Sequence, residues 1–170
     1  LTLGTIEPRK NLALLLDAFK ELKSEDKINH QLVIAGAYGW KHENFDQKLA
    51  QHPYKDDIIL TSFVGDHEIS SLIQLADINV YTSFYEGFGI SAFEAMYLGK
   101  KTVLPANSAF LETGAQFAEY FKDNDLGDLI FALRKTRNTD HTSRTYPKRV
   151  HYSWTNCVHT FSNAIKQLDN

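Results

Sequence analysis

One cysteine and one methionine in 170 residues leave little sulfur chemistry to this chain. Cys157 has no second cysteine to pair with, so no internal disulfide is expected, and a reducing compartment suits the chain. No apolar run approaches the roughly 18–20 residues needed to cross a bilayer. A basic excess is also missing: 18 Lys and Arg against 21 Asp and Glu give a net charge of −3, which argues against a general nucleic-acid binder. The histidines at 30, 42, 52, 67, 141, 151 and 159 form no metal-ligand spacing with Cys157 or with a carboxylate cluster. There is no G-x-S-x-G elbow. Gly99-Lys100 is not a P-loop, because Glu94 stands where its first glycine belongs and Lys101 where Ser or Thr is required. The chain opens on Leu1-Thr2-Leu3, an apolar strand without a preceding Met or signal-like segment, as expected of a piece cut from a longer protein.

What is present is ordinary globular material, 43% hydrophobic and 23% charged, and enough of it for one well-buried domain over residues 1–170. Strand-like runs at Leu1–Thr5, Gln31–Ala35, Ile58–Phe63, Ile78–Thr82, Lys101–Leu104 and Ala118–Phe121 alternate with amphipathic segments. Leu12, Leu15, Leu16, Phe19 and Leu22 share one helical face, as do Ile69, Leu72, Ile73 and Ala76, for which Asp66 is the expected N-cap. Gly99 falls where a helix C-terminal glycine belongs. A helix is expected over Asp125–Arg137, then a polar loop over Thr136–Ser143. A last helix capped by Ser153 carries Trp154, Cys157, Val158, Phe161, Ile165 and Leu168 on one face, with Trp154 as a core anchor. Alternating strands and helices predict an α/β fold, a doubly wound parallel sheet of about six strands with helices on both faces. Ligands of such sheets bind beyond the carboxyl ends of the strands.

Two segments fall there. The first is Tyr85-Glu86-Gly87-Phe88-Gly89-Ile90-Ser91-Ala92-Phe93-Glu94, after the fourth strand. Its glycines permit a tight turn and close approach of a ligand, and the helix start that follows offers free N–H groups to an anion. Glu86 and Glu94 bracket that cradle. Carboxylates repel a phosphate, so they suit hydroxyls instead, and a ligand with phosphates in the middle and hydroxyl-rich ends is a nucleotide-sugar. Plainer readings stand beside this one. Ser91 and Glu94 fit a capping box, Glu86 fits a solvated loop, and the glycines fit a simple turn. Gly87, Gly89 and Ala92 loosely match a dinucleotide fingerprint, but not in the first strand–helix turn where that fingerprint belongs. The second segment, Gly4-Thr5-Ile6-Glu7-Pro8-Arg9-Lys10-Asn11, sets two cations at the same sheet edge. Lys10 suits a diphosphate, with Arg9 assisting, although basic pairs are often only solvated charges.

Taken in order, these segments together with Leu32-Val-Ile-Ala-Gly36, Phe63-Val-Gly65, Ala76-Asp77, Ser83, Phe93-Glu-Ala-Met96, Gly99 and Tyr152-Ser-Trp154 resemble the C-terminal, donor-binding domain of retaining glycosyltransferases of family 4, which have the two-domain GT-B fold. The resemblance implies one Rossmann-like half of that fold, with an N-terminal acceptor domain outside this chain. It implies that Glu86 contacts hydroxyls of the transferred sugar and Glu94 the ribose hydroxyls. Backbone amides of Phe88, Gly89, Ile90 and Ser91, in the Gly87–Ser91 loop, would bind sugar and diphosphate. Lys10 would steady the leaving diphosphate, and Val64 would lie at the nucleobase. Many family members carry an arginine where Thr5 stands, and Arg9 is the candidate substitute. The wording of the first loop is most like mannosyltransferases, so GDP-mannose is the expected donor, with UDP- and dTDP-sugars next. The acceptor would be a glycan or lipid-linked glycan of a bacterial or archaeal surface, reached from the cytoplasm or the cytoplasmic face of the membrane. No metal or other cofactor is expected, and the chain alone is expected to bind nucleotide without transferring sugar. A GT-B-like epimerase or phosphorylase, or a non-catalytic nucleotide-binding module, remains open at this point.

Overall fold

The computed structural model of the chain describes residues 1–139 and 153–168. All six expected strands are present, several shorter than their apolar runs: β1 (Thr2–Leu3), β2 (Leu32–Ala35), β3 (Ile58–Leu60), β4 (Asn79–Val80), β5 (Thr102–Pro105) and β6 (Glu119–Phe121). Around them lie α1 (Leu12–Glu25), α2 (Glu43–Ala50), α3 (Asp66–Leu75), α4 (Ile90–Tyr97), α5 (Phe110–Gly114), α6 (Leu126–Asn138) and α7 (Trp154–Leu168).

The strands form two parallel three-stranded sheets, β1-β2-β3 and β4-β5-β6. Leu1 joins them: its amino group donates to Ile78 O at 2.9 Å, and Val80 N–H donates to Leu1 O at 2.8 Å. The spatial order is therefore 3-2-1-4-5-6, and the direction of winding reverses between β1 and β4. That reversal opens the crevice where ligands of doubly wound folds bind.

Neighbouring residues on each central strand serve opposite cores, as a parallel sheet covered on both faces requires. Ile34, Val80, Val103 and Phe121 pack with α1 and α6. Ala35, Tyr81 and Leu104 pack with Ile73 of α3, Ala92, Ala95 and Met96 of α4, and Phe110 of α5. The predicted apolar faces of α1 and α3 are the ones buried.

Four local expectations change. Asp66 is the first residue of α3 and not its cap; Gly65 is the N-cap, and Glu68 accepts from the Gly65 N–H at 3.0 Å. Asp125 caps α6 by accepting from Asp128 N–H at 3.0 Å, and the helix continues through Asn138 because Thr136 is buried on its inner face. Thr136 to Asn138 are thus helix and not loop, while residues 140–143 and Tyr152 lie outside the described residues. Ser153 does open α7, accepting from Asn156 N–H at 3.1 Å. Trp154, however, is 87% exposed, and Val158, Phe161 and Ile165 are exposed with it. Both faces of the sheet are already covered by α1 to α6, which leaves no core position for Trp154 to anchor. No helix among the described residues is long and apolar enough to cross a membrane.

Gly36 marks the tightest point of the sheet edge. A Cβ there would meet the Gly4 carbonyl oxygen at 2.1 Å, and that oxygen is backbone that cannot turn aside. Gly36→Ala is expected to destabilise the chain by about 3 kcal/mol or more, the upper range of overpacking costs. Urea unfolding of the two proteins side by side checks this, and equal midpoints would contradict it.

Candidate active site

The loops that follow β1 and β4 meet across the crevice. After β1 the chain enters a single 3-10 turn, Pro8–Lys10, then Asn11 in the left-handed region at φ 49°. Proline suits the first position of such a turn, where no N–H is needed. Gly4, at φ 139°, lets the Lys10 side chain fold back over the backbone, since a Cβ on Gly4 would stand 2.9 Å from Lys10 Cε. The loop after β4 is tied to this one by backbone as well as side chains. Thr82 Oγ1 donates to Lys10 O at 2.8 Å, and Phe84 N–H donates to Arg9 O at 2.9 Å.

Glu86 is the meeting point. Lys10 Nζ donates to its Oε1 at 2.7 Å, Ser83 Oγ donates to the same oxygen at 2.8 Å, and Arg9 Nη1 lies 2.9 Å from Oε2. Arg9 also donates to Tyr85 O at 2.9 Å and to Glu7 Oε1 at 2.7 Å. The Glu86 amide is held in turn, donating to Ser108 Oγ at 3.1 Å. Asn107 donates to Ser83 O at 3.1 Å and to Asp123 Oδ1 at 2.8 Å, which brings in the loops after β5 and β6.

Three residues on, Gly89 sits at φ 79° and is the N-cap of α4. Its left-handed conformation, together with a Phe110 ring atom 2.5 Å from where a Cβ would be, makes glycine necessary there. The first turn of α4 leaves the N–H groups of Ile90 and Ser91 without intrahelical acceptors. The capping-box reading of Ser91 and Glu94 does not hold: the cap is Gly89, Ser91 lies inside the helix, and no side chain caps it. Glu94 is thereby free of a capping duty. It lines a cleft of about 240 Å³ between α3 and α4 with Asp66, Ile69 and Phe93. Val64 comes near this region from the β3 end, with its side chain half-buried against the second core. Gly87 has an ordinary φ, and a methyl group in place of its hydrogen would have nothing within 4 Å.

The sequence reasoning brings Arg9, Lys10, Glu86, Gly87, Phe88, Gly89, Ile90, Ser91 and Glu94 to one edge, as found. It omits Ser108 and Asn107. Both follow β5 at the same carboxyl edge, so the rule that picked out the other two loops would have reached them. An apolar cavity of about 280 Å³, lined by Leu1, Leu15, Phe19, Leu72 and Leu133, lies at the opposite end of the strands and shares no residue with this site.

The two glutamates are tuned in opposite senses. Burial works against the charge on Glu86, but hydrogen bonds from Lys10 and Ser83, the charge of Lys10 and a hydrogen bond from Arg9 outweigh it, holding its carboxyl below the ordinary glutamate range. Glu94 is pushed up, first by partial loss of hydration and then by the neighbouring charge of Asp66. The Tyr81 phenol feels both glutamates and is buried without a hydrogen-bond partner among the described residues.

Residues 1–132 match the family model of glycosyl transferases group 1. The chain belongs to that family. This group 1 chain is 30% identical over 173 residues to the O-antigen chain mannosyltransferase B of Escherichia coli, covering 99% of this chain and 45% of that protein. It is 27% identical over 177 residues to a serotype-specific mannosyltransferase of Escherichia coli, covering 99% of this chain and 22% of that one. The chain thus spans less than half the length of these relatives. Its fold is that of part of the sucrose-phosphate synthase of Thermosynechococcus elongatus, with a TM-score of 0.78 at 19% identity over 98% of this chain and 45% of that structure. The expected Rossmann-like half of a GT-B fold is the fold found.

A carboxyl NMR titration of this group 1 chain is expected to find Glu86 titrating below ordinary glutamates and Glu94 above them; the reverse order would contradict the geometry. By linkage, the Glu86 contribution to stability is present above the unfolded-state pKa and is lost as pH falls through the folded-state value. The Glu94 contribution is present below the unfolded-state pKa and is lost as pH rises through the folded-state value.

Proposed function

We propose that this chain is the nucleotide-sugar-binding half of a retaining glycosyltransferase that moves a hexosyl group, mannose from GDP-mannose, onto a glycan or lipid-linked acceptor. The observation that carries the reading is the convergence at the β1/β4 crevice: Lys10 and Arg9 from one loop hold Glu86 of the other at 2.7 and 2.9 Å, beside the open N-terminus of α4. Mannose is supported by the names of the two relatives above.

In this reading the Lys10–Glu86 pair is a placeholder. An incoming diphosphate takes Lys10 as its counter-ion, with Arg9 in the place that Thr5 leaves unfilled, and releases Glu86 toward the sugar. Glu86 stays ionised, and an ionised carboxylate is acceptor-only, so it selects hydroxyls. Amides of Phe88, Gly89, Ile90 and Ser91 receive the sugar and the phosphate oxygens. Glu94, whose raised pKa reflects partial dehydration, accepts from the ribose, and the Val64 backbone meets the base. Stabilising charge on the departing diphosphate is the main catalytic contribution of this half. Lys10 supplies the positive charge that a metal gives elsewhere, so no metal is needed. Most of the acceptor site and the near-attack geometry come from an N-terminal domain across the cleft, working in the cytoplasm or on the cytoplasmic face of a membrane.

Calorimetric titration with GDP, UDP, dTDP, ADP and NAD tests the proposal. GDP is expected to bind selectively, Glu94→Ala to abolish binding, and Lys10→Ala to weaken it by about tenfold or more, the worth of one charge-assisted contact. Binding of NAD alone would overturn the assignment. The 170-residue chain by itself is expected to transfer no sugar from GDP-mannose; turnover on the order of 10 per second, typical of enzymes, would refute the need for a second domain.

A further inference from the structure

The loop from β2 to α2 presents two aromatic rings at the same carboxyl edge of the sheet, Tyr38 at 47% and Trp40 at 57% exposure. Large rings left in water are informative when the backbone beneath them is fixed, and here it is. Ile6 N–H donates to Ala37 O at 2.9 Å, and Gly39 N–H donates to Ile6 O at 3.0 Å. Ile6 and Tyr38 form a parallel bridge, and a Cβ on Gly39 would stand 2.6 Å from Thr5 Cγ2. The aromatic loop is therefore welded to the loop that carries Arg9 and Lys10.

The indole is also tied to the site by its edge. Trp40 Nε1 donates to Glu7 Oε2 at 3.0 Å, Glu7 Oε1 holds Arg9 at 2.7 Å, and Arg9 holds Glu86 at 2.9 Å. With its one donor committed, Trp40 can offer the ring face opposite the one that Lys41 occupies. Lys41 Nζ stands over the ring at 5.5 Å from the centroid. Tyr38 lies against His42 at 4.7 Å, and His42 Nδ1 pairs with Asp46 at 2.7 Å. Glu7, His42 and Asp46 thus rim the rings, and Lys41 covers one face of the indole.

An aromatic face with a charged and hydrogen-bonding rim is unsuited to an apolar protein surface, which would leave those polar groups dehydrated and unpaired. It suits a pyranose, whose C–H face lies on the electron-rich ring while its equatorial hydroxyls meet the rim. We propose that Trp40 and Tyr38 form a subsite for a neutral saccharide, the sugar at the acceptor end of the glycan that receives the hexose. The proposal rests on the donor-site reading above, because that reading makes a saccharide the second substrate. The Trp40–Glu7–Arg9–Glu86 chain then sets the acceptor sugar at a fixed place relative to the transferred one.

Trp40 and Trp154 are the two tryptophans of the chain, and Trp154 is exposed, so Trp154→Phe leaves Trp40 as a sole fluorescent reporter without disturbing a core. Titrating that variant with methyl α-mannopyranoside and with α-linked mannobiose is expected to shift its emission saturably, with a dissociation constant on the order of millimolar. In ligand-observed NMR, Trp40→Ala and Tyr38→Ala are each expected to weaken mannobiose binding by about tenfold, with GDP affinity kept within about twofold. Emission unmoved by either saccharide, or saccharide binding that survives both substitutions, overturns the subsite. If GDP binds and mannobiose does not, the subsite fails and the donor reading stands. If mannobiose binds and no nucleotide does, the donor reading fails while the aromatic subsite stands.

Discussion

Everything at the carboxyl edge depends on β1 and β4 lying side by side. Leu1 secures that contact with two backbone hydrogen bonds to residues 77 and 79 positions further on, Ile78 and Val80. Each strand then releases its loop to a different side, because the crossovers wind in opposite directions from this point. Lys10 and Glu86 come from loops far apart in sequence, and no local signal in either could bring them to 2.7 Å. The sheet order does so. Thr82 and Phe84 then fasten the two loops by backbone carbonyls, which makes the spacing of the charges a property of the fold and not of flexible side chains.

That placement explains the electrostatics. Lys10 and Glu86 are both mostly withdrawn from water, so neither is well hydrated and each is the other's chief compensation. A buried pair of this kind is weak evidence for stability, since dehydration offsets much of the attraction. In the proposed reading its value is in holding a cation and an acceptor ready in a part-dehydrated cleft, where little reorganisation is needed when a ligand replaces one partner. Glu94 is the contrast. Partial loss of hydration raises its carboxyl, and the like charge of Asp66 adds to that, while the carboxyl of Glu86 falls.

Three of the strands were legible because strands buried on both faces are short runs rich in Val and Ile, as at β2, β4 and β5, and all six appear where strand-like runs lie. The two principal loops were legible because a rule of topology, and not of local spacing, points to the carboxyl ends. Local spacing misled at three places. Ser91 and Glu94 have the separation of a capping box, yet the left-handed Gly89 takes the cap and turns both outward from that duty. Asp66 resembles a cap, but the helix begins one residue sooner than its polar signal suggests. Trp154 resembles a core anchor because amphipathic spacing reports an apolar face without saying what covers it. The Trp40 loop has no periodicity at all, and its meaning comes only from the contacts of Glu7.

Three glycines separate what the fold requires from what a ligand requires. Gly36 is fixed by its neighbour's carbonyl and Gly89 by a left-handed turn against Phe110, so the fold alone accounts for both. Gly87 has neither constraint: its backbone is one any residue can adopt, and the space beside it is open. A Cβ there would disturb nothing among the described residues. In the proposed reading, the absence of a side chain at that point serves a group that approaches the backbone closely.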